Sequence, residues 1–281
     1  MKVLVTGANG QLGYDVIKRL NALGDKPVGA DREEFDITDG KATEDYITAL
    51  RPDAIVHCAA YTAVDKAEDD RDTCRKVNVD GTRNIALACE KIGAKLVYIS
   101  SDYVFGGSGT QPLEIDAPKD PQNIYGITKL GGEEEAKKCQ KHFIVRTSWV
   151  FGINGGNFVK TMLRLADSHE KLTVVDDQTG SPTYTPDLAR LICDMIKTEK
   201  YGTYHASNEG YCTWAEFAKE IMRQAGKATE IVPCTTAEYP AKAKRPENSR
   251  LSKKCLDDAG FDRLPPWQDA LARFLKELDL A

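Results

Sequence analysis

Short β-branched runs alternate with longer stretches of helical periodicity along the first half of the chain, and glycine or proline separates them. Lys2-Val-Leu-Val-Thr6 reads as a strand that stops at the turn Gly7-Ala-Asn-Gly-Gln-Leu-Gly13. Val16, Ile17, Leu20 and Leu23 then recur at helical spacing up to Gly24, which predicts an amphipathic helix. Pro27–Ala30 forms a second strand closing on Asp31, and Thr43–Leu50 a second helix stopped by Arg51-Pro52. Ala54–His57 is a third strand, Thr73–Ile92 a long polar helix, and Lys95–Ile99 a fourth strand. Strands this short and apolar are buried on both faces, so the alternation predicts a parallel sheet covered by helices.

Beyond Ser100 the pattern loosens. Gly106–Pro121 is rich in glycine, proline and acids and reads as a surface loop, followed by a helix over Ile124–Lys141 and a strand at Phe143–Arg146. From Phe151 onward the elements shorten and prolines punctuate them, at Pro182, Pro186, Pro240, Pro246 and Pro265-Pro266. The expected organisation is an α/β, Rossmann-like doubly wound parallel sheet in residues 1–150. Residues 151–281 should form mainly a smaller C-terminal substrate-binding lobe, with some segments returning to the sheet.

Composition narrows the function classes. The chain has 281 residues, 41% hydrophobic and 29% charged, and a formal net charge of -5. That balance argues against a nucleic-acid partner, which needs a basic field. An anionic ligand would need a local cationic pocket, and Lys242, Lys244 and Arg245 form the one short basic run. The eight cysteines are scattered without a Cys-x-x-Cys pair, which points to reduced thiols, a cytoplasmic location and no structural zinc. The first apolar run leads straight into a glycine turn, unlike a signal peptide. No apolar stretch approaches the roughly 18 residues that a membrane span requires.

Three groups of residues carry chemistry. In Thr6-Gly7-x-x-Gly10-x-x-Gly13, small residues between a strand and a helix let backbone N–H groups approach a pyrophosphate, and the helix N-terminus adds partial positive charge. The spacing differs from the Gly-x-Gly-x-x-Gly of the commonest dinucleotide sites. Asp31, at the end of the second strand, suits the ribose hydroxyls of NADH, whereas the neighbouring Arg32 suits the 2′-phosphate of NADPH; both cofactors stay open. Ser100-Ser101-Asp102-Tyr103 follows the fourth strand, where ligands of open α/β sheets bind. Finally, Tyr125 and Lys129 lie four positions apart and share a helix face. A tyrosine titrates near pH 10 when unperturbed, and the Lys129 ammonium is expected to lower it toward the range useful for general acid catalysis. Ser101 would hold a carbonyl oxygen that Tyr125 protonates.

With these groups in this order, the chain resembles the extended short-chain dehydrogenase/reductases, and within them the dTDP-4-dehydrorhamnose reductase family. The likeness runs through Cys58-Ala-Ala-Tyr-Thr-Ala-Val-Asp-Lys-Ala-Glu68, Ser101-Asp-Tyr-Val-Phe105 and Tyr125-Gly-Ile-Thr-Lys-Leu-Gly131. It continues through Arg146-Thr-Ser-Trp-Val-Phe151, Asn157–Met162, Asp177–Pro182 and Arg245–Leu251. The resemblance implies a catalytic trio of Ser101, Tyr125 and Lys129. It implies cofactor contacts at Gly10, Gln11, Leu12, Asp31, Asp36, Ile37, Ala60, Tyr61 and Thr62, alongside Gly7, Gly13 and Arg32 from the loop reading. It places Val64, Asp65, Lys66, Asp102, Tyr103 and Trp149 near a nucleotide-sugar. An indole at Trp149 can stack on a base or sugar face, and Lys66 or Arg245 can meet diphosphate charge.

What the resemblance implies is reduction of the C4 ketone of dTDP-4-dehydro-L-rhamnose by NADH or NADPH; the expected enzyme is cytoplasmic, a monomer or weak homodimer. Some relatives bind magnesium through glutamates. Here Asp15 is a shorter acid, and no oxygen-ligand cluster supports a metal. Two alternatives stand beside this reading: a reductase of another dTDP-ketosugar, and a non-catalytic subunit like the regulatory subunit of methionine adenosyltransferase. The intact Ser101–Tyr125–Lys129 set argues against the latter.

Overall fold

In the computed structural model, β1 (Lys2–Thr6), β2 (Lys26–Ala30), β3 (Ala54–His57), β4 (Lys95–Ser101) and β5 (His142–Thr147) join a later strand, Gly202–His205, in one six-stranded sheet. Residues 1–239 and 241–279 are described; Pro240, one of the punctuating prolines, lies outside them. Every strand pair is parallel, in the spatial order β2-β1-β3-β4-β5 followed by Gly202–His205. The winding reverses between β1 and β3, and a reversal of this kind opens a crevice at the carboxyl ends of the strands.

Period-two alternation explains why the sheet needs cover on both faces. Val3 and Val5 of β1, Ala54 and Val56 of β3, and Phe143 and Val145 of β5 share one buried cluster. The intervening Leu4, Ile55 and Ile144 belong to another. The first face is closed by α1 (Gln11–Ala22) and, from much later in the chain, α8 (Thr185–Met195). The second is closed by α2 (Gly40–Leu50), α5 (Thr82–Ile92) and α6 (Ile124–Ala136). Between α2 and α5 lie two short helices, α3 (Val64–Ala67) and α4 (Arg71–Arg75).

A third, aromatic-rich cluster sits outside the sheet. It contains Phe151, Tyr184, Phe217, Trp267 and Phe274 and is framed by α7 (Phe158–Ala166), α9 (Trp214–Gln224) and α11 (Trp267–Glu277). Residues beyond 151 therefore divide between this cluster and the sheet. Gly202–His205 pairs with β5, and Cys255 and Leu256 of α10 (Lys254–Ala259) pack into the first cluster.

Three helix boundaries differ from the pattern-based expectation. The long helix expected over Thr73–Ile92 is α4 and α5 joined by a π-helical stretch, Lys76–Gly81. The wider turn carries the buried Asn78, whose amide bonds outside its own helix; such turns recur at functional sites. Helix α6 stops at Ala136 rather than Lys141, because the segment that follows exposes its lysines and glutamine and buries only Cys139, in the second cluster. Helix α2 starts at Gly40, ahead of Thr43, because the Asp39 carboxylate accepts from the Lys41 and Ala42 N–H groups and caps it.

Candidate active site

One cavity of about 1100 Å³ lies at the switch point, and all the positions expected to serve cofactor, substrate or catalysis line it except Tyr61, Asp65, Lys66 and Arg245. At its floor the chain turns from β1 into α1. A Cβ on Gly13 would stand 2.1 Å from the Gly7 carbonyl oxygen, so only glycine lets the helix start this close to the loop. The N-cap of α1 is Gly10, with no side-chain bond to the first turn, which leaves N–H donors of the helix start available to an anion. On the β2 side, Asp31 accepts from the Asn9 N–H at 3.0 Å. The Arg32 side chain is 89% exposed and stands 3.6 Å from Asp36. Asp36 also accepts from the Thr38 N–H and hydroxyl, contacts that hold its carboxyl below the usual range.

The reactive side chains come from β4 and α6. Alternation turns the two serines apart: Ser100 donates to Glu133 at 2.6 Å, whereas Ser101 donates to Asp102 Oδ1 at 2.8 Å. Asn123 caps α6 by accepting from the Gly126 N–H, which fixes the helix start one residue before Tyr125. Tyr125 meets Tyr103 edge-on with ring centroids 5.5 Å apart. Lower on α6, Glu133 is clamped by Arg146 through two bonds of 2.7 Å, a buried ion pair that ties the helix to β5.

The electrostatics correct one expectation. Burial pushes the Tyr125 phenol up, with Ser101 acting the other way and the Asp102 charge adding to the rise. Lys129 does not lower it. The Lys129 ammonium lies 4.3 Å from the Tyr98 ring centroid, and burial pulls the lysine down to about 8. Desolvation outweighs the charge–charge effect read from the spacing. Burial also raises Asp102 to about 6, and its Oδ2 is buried without a partner.

Of the positions away from the cavity lining, Asp65, Arg245 and Tyr61 have partners of their own. Arg245 grips Asp65 through bonds of 3.1 and 2.7 Å, and joins the 243–247 segment to α3. Lys66 is exposed. Tyr61 is held by its backbone: its N–H donates to Asn78 Oδ1 at 2.8 Å, and its carbonyl accepts from Asn78 Nδ2 at 3.1 Å. Asn78 Nδ2 also reaches Thr128 Oγ1 at 3.1 Å, and Thr128 in turn bonds the Tyr125 carbonyl at 2.9 Å. One buried amide thus links the loop after β3 to the helix bearing Tyr125. Sequence reading missed Asn78, since nothing in a polar helical stretch marks a π-turn. It also missed Trp214, whose cavity position comes from tertiary packing.

Asp15 is buried and accepts from Thr185 Oγ1 at 2.5 Å. Among the described residues, no group of three or more His, Cys, Asp or Glu side chains could hold a metal ion. No described helix is long and apolar enough to cross a membrane. All eight cysteines are free thiols.

A doubly wound sheet whose glycine loop opens onto a converging serine, tyrosine and lysine belongs to the short-chain dehydrogenase/reductase class of oxidoreductases. Comparison with known proteins takes the assignment further. The chain belongs to the RmlD substrate binding domain family, which matches residues 1–280. It is 43% identical over 277 residues to the spore coat polysaccharide biosynthesis protein SpsK of Bacillus subtilis, covering 98% of this chain and 97% of that one. A dTDP-4-dehydrorhamnose reductase from Clostridium acetobutylicum superposes with a TM-score of 0.97 at 41% identity, covering 99% of this chain and 100% of the other. One from Bacillus anthracis, solved in complex with NADP, gives a TM-score of 0.96 at 45% identity over 98% and 99% of the two chains.

Proposed function

We propose that this protein reduces the C4 ketone of dTDP-4-dehydro-L-rhamnose to dTDP-L-rhamnose with NADPH or NADH. The observation that carries the proposal is the single cavity in which the glycine loop, Ser101, Tyr125, Lys129 and Trp149 meet, in a chain whose relatives bear that reductase's name. The close Gly7–Gly13 approach and the uncapped start of α1 fit a dinucleotide pyrophosphate. Asp31 and Arg32 would face its adenosine ribose. A bound nicotinamide supplies the hydride.

The chain's own side chains supply the rest. Because burial keeps Tyr125 protonated at neutral pH, the phenol is loaded as a proton donor before substrate arrives. Its proton passes from Oη to the C4 oxygen as that oxygen gains charge, and leaves an alcohol on the sugar and a phenolate on the enzyme. Ser101 swings its hydroxyl from Asp102 to the same oxygen and orients it. Lys129, on the same face of α6, is still an ammonium below about pH 8 and offsets the phenolate charge. We further propose that residues 1–150 serve mainly the cofactor, and that the lobe formed mainly by residues 151–281 serves the sugar nucleotide.

The test is a coupled assay that supplies dTDP-glucose with the upstream dehydratase and epimerase and follows NADPH loss. Wild type should turn over, and Tyr125→Phe should lose about 10²- to 10⁴-fold in kcat. Near wild-type turnover by Tyr125→Phe would refute the mechanism. Equal turnover of other dTDP-ketosugars would refute the substrate assignment.

A further inference from the structure

Trp149 is held in an unusual way. Its backbone has φ 49°, in the left-handed region that a bulky side chain rarely adopts, and it is one of three such non-glycine residues among those described. The other two follow helices: Arg51 caps α2, and Asp279 lies just beyond α11. Trp149 instead lies between β5 and the short strand Val150–Phe151, on the cavity wall. Its carbonyl accepts from the Thr183 N–H at 3.1 Å, which fixes the backbone from the far side. Strain of this kind persists where the surroundings over-determine it, as at ligand clamps.

Two contacts set where the indole goes. Gly180 makes room for it: a Cβ there would lie 2.8 Å from Trp149 Cε2. One face of the ring is covered by Trp214, at a centroid distance of 3.7 Å and an interplanar angle of 16°. Trp214 is itself placed firmly. It is the first residue of α9, behind a Thr213–Glu216 capping box, and its ring meets Phe158 at 4.6 Å. Both indoles are half-buried and line the cavity. A separation of 3.7 Å leaves no room for a third ring between them.

We infer that Trp214 is a positioning residue for the sugar nucleotide: by covering one face of Trp149 it completes an aromatic wall on whose open Trp149 face the flat apolar side of the ligand, its pyrimidine or its deoxysugar, packs. Trp214 backs the strained Trp149 ring and extends the wall. The inference rests on the proposed reading of the cavity as a nucleotide-sugar site.

The experiment compares Trp214→Ala and Trp214→Phe with wild type. It measures KM for the ketosugar, KM for NADPH, the thermal midpoint, and calorimetric binding of dTDP and of dTDP-rhamnose. Loss of the ring that backs Trp149 frees the indole that stacks on the ligand, and a stack lost in this way corresponds to about tenfold in affinity. Trp214→Ala should therefore raise the ketosugar KM about tenfold, more than it changes kcat, with the NADPH KM unmoved; Trp214→Phe should recover most of the loss. Weaker binding of both dTDP and dTDP-rhamnose supports a pyrimidine on the wall, and weaker binding of dTDP-rhamnose alone supports the sugar. An unchanged ketosugar KM in the folded alanine variant overturns the inference, as does a parallel rise of both KM values. If wild type reduces no ketosugar but binds dTDP in a Trp214-dependent way, the functional reading falls and the aromatic wall stands. If wild type neither reduces ketosugar nor binds dTDP, both fall.

Discussion

Replacing Lys129 by methionine should stabilise the protein while disabling it. Lys129 is 3% exposed, and burial brings its ammonium from 10.5 down to about 8. That displacement corresponds to roughly 3 kcal/mol of destabilisation whenever the side chain is charged in both states. The Tyr98 ring, 4.3 Å from the ammonium, returns about 1 kcal/mol through the cation–π contact. A net gain of about 2 kcal/mol for Lys129→Met at pH 7 is therefore expected, since methionine fills similar space without a charge. The sign follows from proton uptake. Below about pH 8 both folded and unfolded chains carry the proton and the full penalty applies. Between about 8 and 10.5 only the unfolded chain holds it, so wild-type stability rises and the gap to the variant closes. Urea denaturation of the cofactor-free proteins at pH 7 and at pH 10, with the coupled reductase assay alongside, reads all of this. A Lys129→Met protein no more stable than wild type at pH 7, or a gap that does not shrink with pH, would refute the argument.

Other substitutions probe the neighbouring elements. Gly13→Ala forces a Cβ to within 2.1 Å of the Gly7 carbonyl oxygen and should weaken NADPH binding about ten- to hundredfold by calorimetry; unaltered binding would mean that the loop yields freely. Asn78→Ala leaves the Tyr61 N–H without its acceptor and should cost about 1–3 kcal/mol in urea denaturation, with a higher KM for cofactor than wild type. His57 and His205 are buried and depressed to about 3, so only the unfolded chain gains their protons as pH falls from about 6.5 toward 3. Thermal midpoints should drop across that window, and a flat profile would contradict the assignment. Arg32→Ala should raise the KM for NADPH and leave that for NADH unchanged; if both are unchanged, Arg32 has no part in phosphate recognition.

The sheet was legible because its cause is local. Apolar runs such as Val3–Val5 and Ala54–Val56 sit between glycine and proline breaks, and the strand–turn–helix context at Gly7–Gly13 needs no distant partner. The same holds for Ser101 at the end of β4 and for Tyr125 and Lys129, one turn apart on α6. What stayed hidden depends on contacts distant in sequence. Asn78 becomes a clamp only because the helix widens around it, and its partners Tyr61 and Thr128 come from other elements. Trp214 reaches the cavity by stacking on Trp149, which is distant from it in the chain. The Tyr125–Lys129 spacing was read correctly as a shared face, but its electrostatic sign was not, because burial cannot be seen in a pair of letters.

Several features that work against stability fall around one cavity. Lys129 and Asp102 carry charge where burial opposes it, and Asp102 Oδ2 has no partner. Trp149 holds a left-handed backbone. Elsewhere buried charge is neutralised in place, as where Arg146 meets Glu133 with two bonds of 2.7 Å. The contrast has a physical consequence. A paired group such as Glu133 has no capacity left for a ligand, whereas a carboxylate with one oxygen free and a desolvated ammonium gain most when a polar substrate arrives. Ligand binding should therefore raise stability by more than the same contacts would supply at a pre-satisfied surface. The ion pair beneath α6 keeps the helix fixed, so that this gain goes into orienting the substrate against Tyr125 rather than into ordering the protein.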